Sequence, residues 1–144
     1  DDTQGQNNQG KYPFGSITGD QNNTIYHLRL GEIYLIHAEA EARRSGGNLD
    51  AALTSLNTIR LRAGVAEKAL SDDETLLEDV RQEKLLELFY ENGEPWFDVV
   101  RYDRLGNLEA SNIKATLTTE NKFILPMTSQ VLIGNTNIIQ NPGY

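Results

Sequence analysis

Two histidines are the first residues whose chemistry suggests catalysis or metal binding. His27 and His37 lie ten positions apart in one predicted helix. A metal held on a helix usually needs a second ligand one turn away, and no other histidine or cysteine lies four residues from either. We therefore interpret His37 as a partly buried histidine bonded to a carbonyl, and we expect no metal site and no cofactor.

Acidic residues at helical spacing are the next candidates. Glu83, Glu87 and Glu91 recur every four residues, which could imitate a catalytic carboxylate pair. A glycosidase, however, holds its two carboxyl groups on opposite sides of a cleft, so we interpret this ladder as a solvated helix face. The sequence has no phosphate-binding loop and no nucleophile elbow. We therefore expect no catalytic residues and no enzyme activity.

Aromatic side chains are a different kind of candidate, because their faces stack on sugars. Trp96 and Tyr102 are the candidates for carbohydrate binding, with Tyr12 and Phe14 behind them. The alternative is core packing, since large aromatic side chains bury much apolar area. Trp96 adjoins several apolar residues, so for it we favour the core interpretation. Tyr102 stays open between the two.

Composition limits the class of protein. A chain of 144 residues is long enough for one domain with a core. A formal net charge of −8 argues against nucleic-acid and anionic-membrane partners, which favour clustered lysine and arginine. The chain has no cysteine, which excludes disulfides and thiolate ligands. No apolar run is long enough to span a bilayer.

The segment 26–45 is predicted to be the central helix that positions these residues. It is apolar on nearly every side, with Glu32, Glu39 and Arg43 forming one narrow polar strip. Because a soluble helix normally exposes a broad polar face, we expect other elements to cover this one on most sides.

Further helices follow from caps and periodicity. Gly46-Gly47 should end the central helix, and Asn48 should cap a second helix that runs to Gly64 and makes a tetratricopeptide-like hairpin. A third helix begins at a capping box in which Ser71 accepts from the backbone of Glu74. We expect the third helix to continue to Tyr90. The other expected elements are a short helix from Pro95 to Gly106, a β-hairpin over 117–119 and 122–125, a helical turn capped by Thr128, and a final turn over 141–144.

The predicted fold class is thus mainly α: a helical hairpin and further helices, with a short β-hairpin and an irregular C-terminal segment. We expect residues 1–10, rich in Asn, Gln and Gly, to be a disordered tail. Residues 11–144 should form one helical domain.

Five ordered blocks resemble one family. Residues 28–40 resemble the "LRLAEVYLIYAEA" signature of the SusD-like (RagB) nutrient-binding proteins, and residues 56–64 resemble their "LNxIRxRAG" block. Residues 80–101 are similar to "IRxERxxEL…ENGERWFDLVR". The remaining two blocks, at 125–127 and 140–144, are similar to "LPIP…QNPGY". Pro95 departs from the pattern, because an arginine usually precedes the tryptophan, and any salt bridge made from that position is absent here.

The resemblance implies a role that the residues alone do not. It implies the C-terminal scaffold domain of a longer, non-catalytic surface lipoprotein of the outer membrane. Such a protein binds glycans or other nutrients and works with a SusC-like TonB-dependent transporter, its lipid anchor lying upstream. Two alternatives remain: a helical-repeat adaptor that binds peptides, and a glycan-active enzyme with carboxylates facing across a cleft.

Overall fold

Helices make up the regular structure of the described part of this chain. The computed structural model describes residues 27–89, 91 and 93–144, so the predicted tail at 1–10, Tyr12 and Phe14 lie outside the described residues. The described part contains no strand, which confirms the mainly α prediction. In chain order its elements are α1 (Leu30–Arg43), α2 (Leu49–Arg62), α3 (Asp73–Glu87), α4 (Glu94–Arg104), α5 (Ala110–Ile113), a 3₁₀ helix (Glu120–Phe123) and α6 (Ser129–Gly134).

The first three helices share one apolar core. Asn48 caps α2 as predicted, its side-chain oxygen accepting from the Ala51 N–H at 3.0 Å, and Gly46 turns the chain with φ +68°. α1 packs against both α2 and α3. The buried side chains of this core are Leu35, Ala38, Ala42, Ala52, Leu56, Ile59, Leu76, Leu77 and Val80.

The prediction that α1 is covered on most sides is wrong. Ile33 is 49% exposed and Ile36 is 44% exposed, so the helix buries one side only. The predicted polar strip is reversed as well, because Glu32 and Glu39 are 6% and 5% exposed. Charged side chains of α3 and α4 bind the Glu39 carboxylate, and periodicity along α1 carries no information about such distant partners.

The capping prediction for the third helix is wrong by one residue. Asp72, not Ser71, accepts from the backbone, with 2.8 Å between the Thr75 nitrogen and the Asp72 carboxylate. A carboxylate is also the better acceptor at the positive end of a helix dipole. The helix ends at Glu87 instead of Tyr90, because Leu88 leaves helical geometry with ψ 12°.

The next helix follows the prediction more closely. Gly93 precedes α4 with φ +74°, and Pro95 lies in its first turn. At that position the missing N–H of proline costs nothing, because the first helical N–H groups have no intrahelical partner.

The predicted β-hairpin is wrong: its residues form the 3₁₀ helix and extended backbone. The carbonyls that would pair strands are taken by C-terminal side chains instead. Asn141 donates to the Leu125 carbonyl at 2.7 Å, and the Tyr144 hydroxyl donates to the Ile124 carbonyl at 2.9 Å. The predicted final turn is present, with Gly143 at φ +91°. α6 follows Thr128, but that side chain makes no capping bond.

A second, smaller core lies beneath this segment. Its buried members are Val99, Ala110, Leu117 and Phe123, and Trp96, Val100 and Leu108 pack against it. The turns after α4 are therefore held by apolar burial as well as by hydrogen bonds.

Candidate functional site

Helix α4 places two neighbouring aromatic side chains in two different cavities. Trp96 lines a cleft shared with α3 and α5, and Phe97 lines a cavity shared with α1 and α3. Successive helical residues point about 100° apart, so the two rings border different spaces, and both also line a third cavity beside the 3₁₀ helix. We call the first two spaces the Trp96 cleft and the Glu32 cavity.

The Trp96 cleft has a volume of about 310 Å³ and mostly apolar walls. Trp96 is partly buried and packs against the second core while still lining the cleft. Polar groups come from Arg81, Gln82, Asp98 and Lys114. Arg81 is held by Glu78 through two bonds, of 2.7 and 2.6 Å, and those bonds raise the pKa of the guanidinium despite its burial. The arrangement offers an aromatic surface beside fixed hydrogen-bond donors.

Tyr102 lies inside the protein, at 1% exposure. Two guanidinium groups lie over its ring, with the Cζ atoms of Arg43 and Arg101 at 4.4 and 4.9 Å from the centroid. Burial raises the pKa of its phenol. The ring has no face open to a sugar, so the structure argues against Tyr102 as a carbohydrate-binding residue and leaves Trp96 as the candidate.

The Glu32 cavity has a volume of about 380 Å³ and is lined by charged side chains of α1, α3 and α4. Arg101 binds Glu39 with both guanidinium nitrogens, one bond measuring 2.8 Å. Arg101 and Lys84 both reach the Asp98 carboxylate, at 2.5 and 2.9 Å. Burial alone would raise the pKa of Glu39, but the bonds from Arg101 and Arg43 outweigh burial and lower it.

Glu32 is the exception among these carboxylates. Among the residues that the structure describes, none donates a hydrogen bond to its carboxylate or lies within 4.0 Å as an ion-pair partner. Burial, followed by the nearby Glu94 carboxylate, raises the pKa of Glu32. We predicted that Glu32 lies on an exposed polar strip, and the residues near it in sequence do not indicate that it is buried.

The carboxylate ladder is not the solvated face that we predicted. Glu83, Glu87 and Glu91 are all buried, because arginines from other segments cover them. Arg60 binds Glu83 at 2.5 Å, and Arg29 binds both Glu87 and Glu91.

Glu87 is also bound by Arg62 at the end of α2. Burial favours its neutral form, but the bonds from Arg62 and Arg29 prevail and lower its pKa. The ladder therefore ties α3 to α2 and to the start of α1. In the sequence, Arg60 and Arg62 are a sign that acidic partners lie nearby, but their spacing does not reveal which residues they bind.

The surroundings of His37 differ from the prediction. His37 is exposed, and its Nδ1 lies 2.9 Å from the Ser55 hydroxyl oxygen instead of a carbonyl. Within the described ranges, no group of three or more His, Cys, Asp or Glu side chains is arranged to hold a metal ion.

None of the helices in the described part of the chain combines the length and the apolar character needed to cross a bilayer.

Comparisons with known proteins agree with this architecture. The model of the SusD family matches residues 6–144. A crystal structure of a SusD-like protein from Bacteroides fragilis is 24% identical, with a TM-score of 0.55 over 87% of this chain. The match spans 29% of that protein's chain, and at this identity the likeness is one of fold. No curated protein matches. By its family match, this chain belongs to the SusD family.

Proposed function

We propose that this chain is the C-terminal scaffold domain of a non-catalytic nutrient-binding lipoprotein. The longer protein would lie at the cell surface, anchored to the outer membrane by a lipid upstream. It would bind glycans and pass them to a SusC-like TonB-dependent transporter. The family match over residues 6–144 carries this proposal, because SusD proteins are nutrient-binding proteins.

The Trp96 cleft supports a direct contact with sugar. An indole face packs against the apolar face of a sugar ring, while polar groups at the edge bind its hydroxyls. Trp96 supplies the ring, and Arg81 and Gln82 lie in the same cleft. We therefore propose Trp96 as the residue of this domain that contacts a glycan.

Isothermal titration of the full-length parent against a glycan panel tests the binding role. Trp96→Leu keeps an apolar side chain in the second core but removes the stacking face, and should weaken binding about three- to tenfold. Tyr102→Phe is the matched control and should leave affinity unchanged, because the Tyr102 ring is covered. A panel without any binding glycan, together with no co-purifying barrel protein, would contradict the proposal.

One observation bears on the enzyme alternative. Glu32 of α1 and Glu94 of α4 contribute carboxylates to one cavity from different helices, an arrangement that glycan hydrolysis could use. Family membership favours binding. A glycan-hydrolysis assay of the full-length parent decides: turnover that disappears in Glu32→Gln would establish catalysis, and we expect none.

A further inference from the structure

The Glu32 cavity contains a buried carboxylate without a partner. Glu32 is 6% exposed and lines the cavity, and no described side chain forms a hydrogen bond or an ion pair with it. A buried ionised carboxylate is costly unless it is paired. The Glu32 carboxylate is therefore free to accept a hydrogen bond from a ligand.

The charges around the cavity show which donor fits. Its walls carry one more carboxylate than cations. Arg43 and Arg101 bind Glu39, and Lys84 binds Asp98 at 2.9 Å while lying 4.0 Å from Glu94. These pairings occupy the three cations and leave the excess negative charge at Glu32. An anionic ligand would be repelled, and a neutral hydroxyl would leave the charge uncompensated.

Apolar side chains at the opening of the cavity favour a ligand that has an apolar part. Phe97 is 58% exposed and Ile36 is 44% exposed, and both line the cavity. A cation over an aromatic face gains further attraction. A metal ion would use neither surface, and no metal-binding group of side chains occurs in the described part of the chain.

We propose that the Glu32 cavity binds the primary ammonium group of a small organic amine, whose carbon skeleton lies against Phe97 and Ile36. The amine can be an amino sugar or an aliphatic amine, since both present the same ammonium group. The proposal rests on the cavity and is independent of the Trp96 cleft and of glycan capture.

Calorimetric titration of the full-length parent with glucosamine and with n-butylamine tests this proposal. Glucose and N-acetylglucosamine are the neutral controls. Binding of either amine, at least about tenfold tighter than the neutral sugars, supports the site, because a bond to a charged group is stronger than a neutral one. Glucosamine binding alone would identify an amino sugar, and binding of both amines a general ammonium site. Equal binding of amines and neutral sugars, or no amine binding, overturns the proposal.

Two single variants test whether the amine binds at Glu32. Glu32→Gln should weaken amine binding about tenfold or more, whereas Glu67→Gln, at an exposed position on the α2–α3 connection, should not. Glu32→Gln should also fold, because burial raises the pKa of Glu32 and the ionised form therefore destabilises the native state. Its melting midpoint at neutral pH should equal or exceed that of the wild type. Unchanged amine affinity in a folded Glu32→Gln would overturn the assignment.

A second pair of variants leaves Glu32 in place. Ile36→Lys puts an ammonium group one turn after Glu32, the favourable order for a pair on a helix. This internal ammonium should compete with the ligand and abolish amine binding, while Ile36→Gln, of similar length and neutral, should retain most of it. Equal loss in both variants would contradict the role of Glu32.

Discussion

At the scale of single residues, the buried carboxylates distinguish this protein from a simple helical bundle. The Glu39 carboxylate accepts hydrogen bonds from both terminal guanidinium nitrogens of Arg101 and from the Nε of Arg43, the last at 2.6 Å. Arg43 and Arg101 also cover the Tyr102 ring. A single carboxylate thus holds two cations in the place where α1 meets α4.

We expect Glu39→Gln to lower the free energy of unfolding by about 2–3 kcal/mol. The figure is below the full cost of breaking a buried pair because Arg101 is partly exposed. Urea denaturation at neutral pH measures it. Glu41→Gln is the control, since its pair with Arg44 is more exposed and should change stability little. Equal stability of Glu39→Gln and wild type would show that this network contributes nothing.

At the scale of elements, α1 is a one-sided helix. Ala38 is completely buried, whereas Ala40 is exposed on the same helix. Apolar residues all round the helix led to the prediction of burial all round, but only the side that faces α2, α3 and the Arg101 side chain of α4 is covered.

Ala38→Asp should therefore unfold the protein or lower its stability by several kcal/mol, because the new carboxylate would be buried without a partner. Ala40→Asp should be tolerated, because its side chain faces water. Circular dichroism melting curves compare the two. Similar melting of both variants would mean that the two sides of α1 are not different.

The C-terminal segment is a second element-scale feature. Gln140 pairs its amide with both backbone groups of Met127, at 2.9 and 3.0 Å, and Asn141 and Tyr144 take the carbonyls before it. These side chains bind the backbone groups that a second strand would bind in a hairpin.

Deletion of residues 140–144 should release the segment 122–127. Amide hydrogen exchange in that segment should accelerate about tenfold or more, because its backbone groups lose several bonds worth about 1 kcal/mol each. Exchange in α2 should stay unchanged, which provides an internal control. Unchanged protection of 122–127 would show that the side-chain bonds do not hold it.

At the scale of the whole molecule, ion pairs link elements that share little apolar surface. α4 packs less extensively on the first three helices than these pack on one another, and Lys84 and Arg101 bridge the contact. The pKa of Glu39 and that of Glu87 are both lowered. A lowered pKa contributes stability above the unfolded value, and that stability is lost as the pH falls through the folded value.

We therefore expect the protein to lose stability progressively as the pH falls below the ordinary glutamate pKa of about 4.3. Melting curves across that range measure the loss. The slope should be shallower in Glu39→Gln, which lacks one of the linked groups. A midpoint independent of pH in acid would contradict this account.

Local sequence patterns predicted the four longer helices, some of their ends and the family. Asn48, Gly93 and Pro95 act within a few residues of their own positions, so local patterns suffice to place them. Three features follow from the fold alone: the covered side of α1, the burial of the carboxylate ladder, and the position of Trp96, rather than Tyr102, beside a cleft. The reason is distance along the chain. Arg101 reaches Glu39 across 62 positions and Arg29 reaches Glu87 across 58, and no periodicity within one helix encodes a partner so far away.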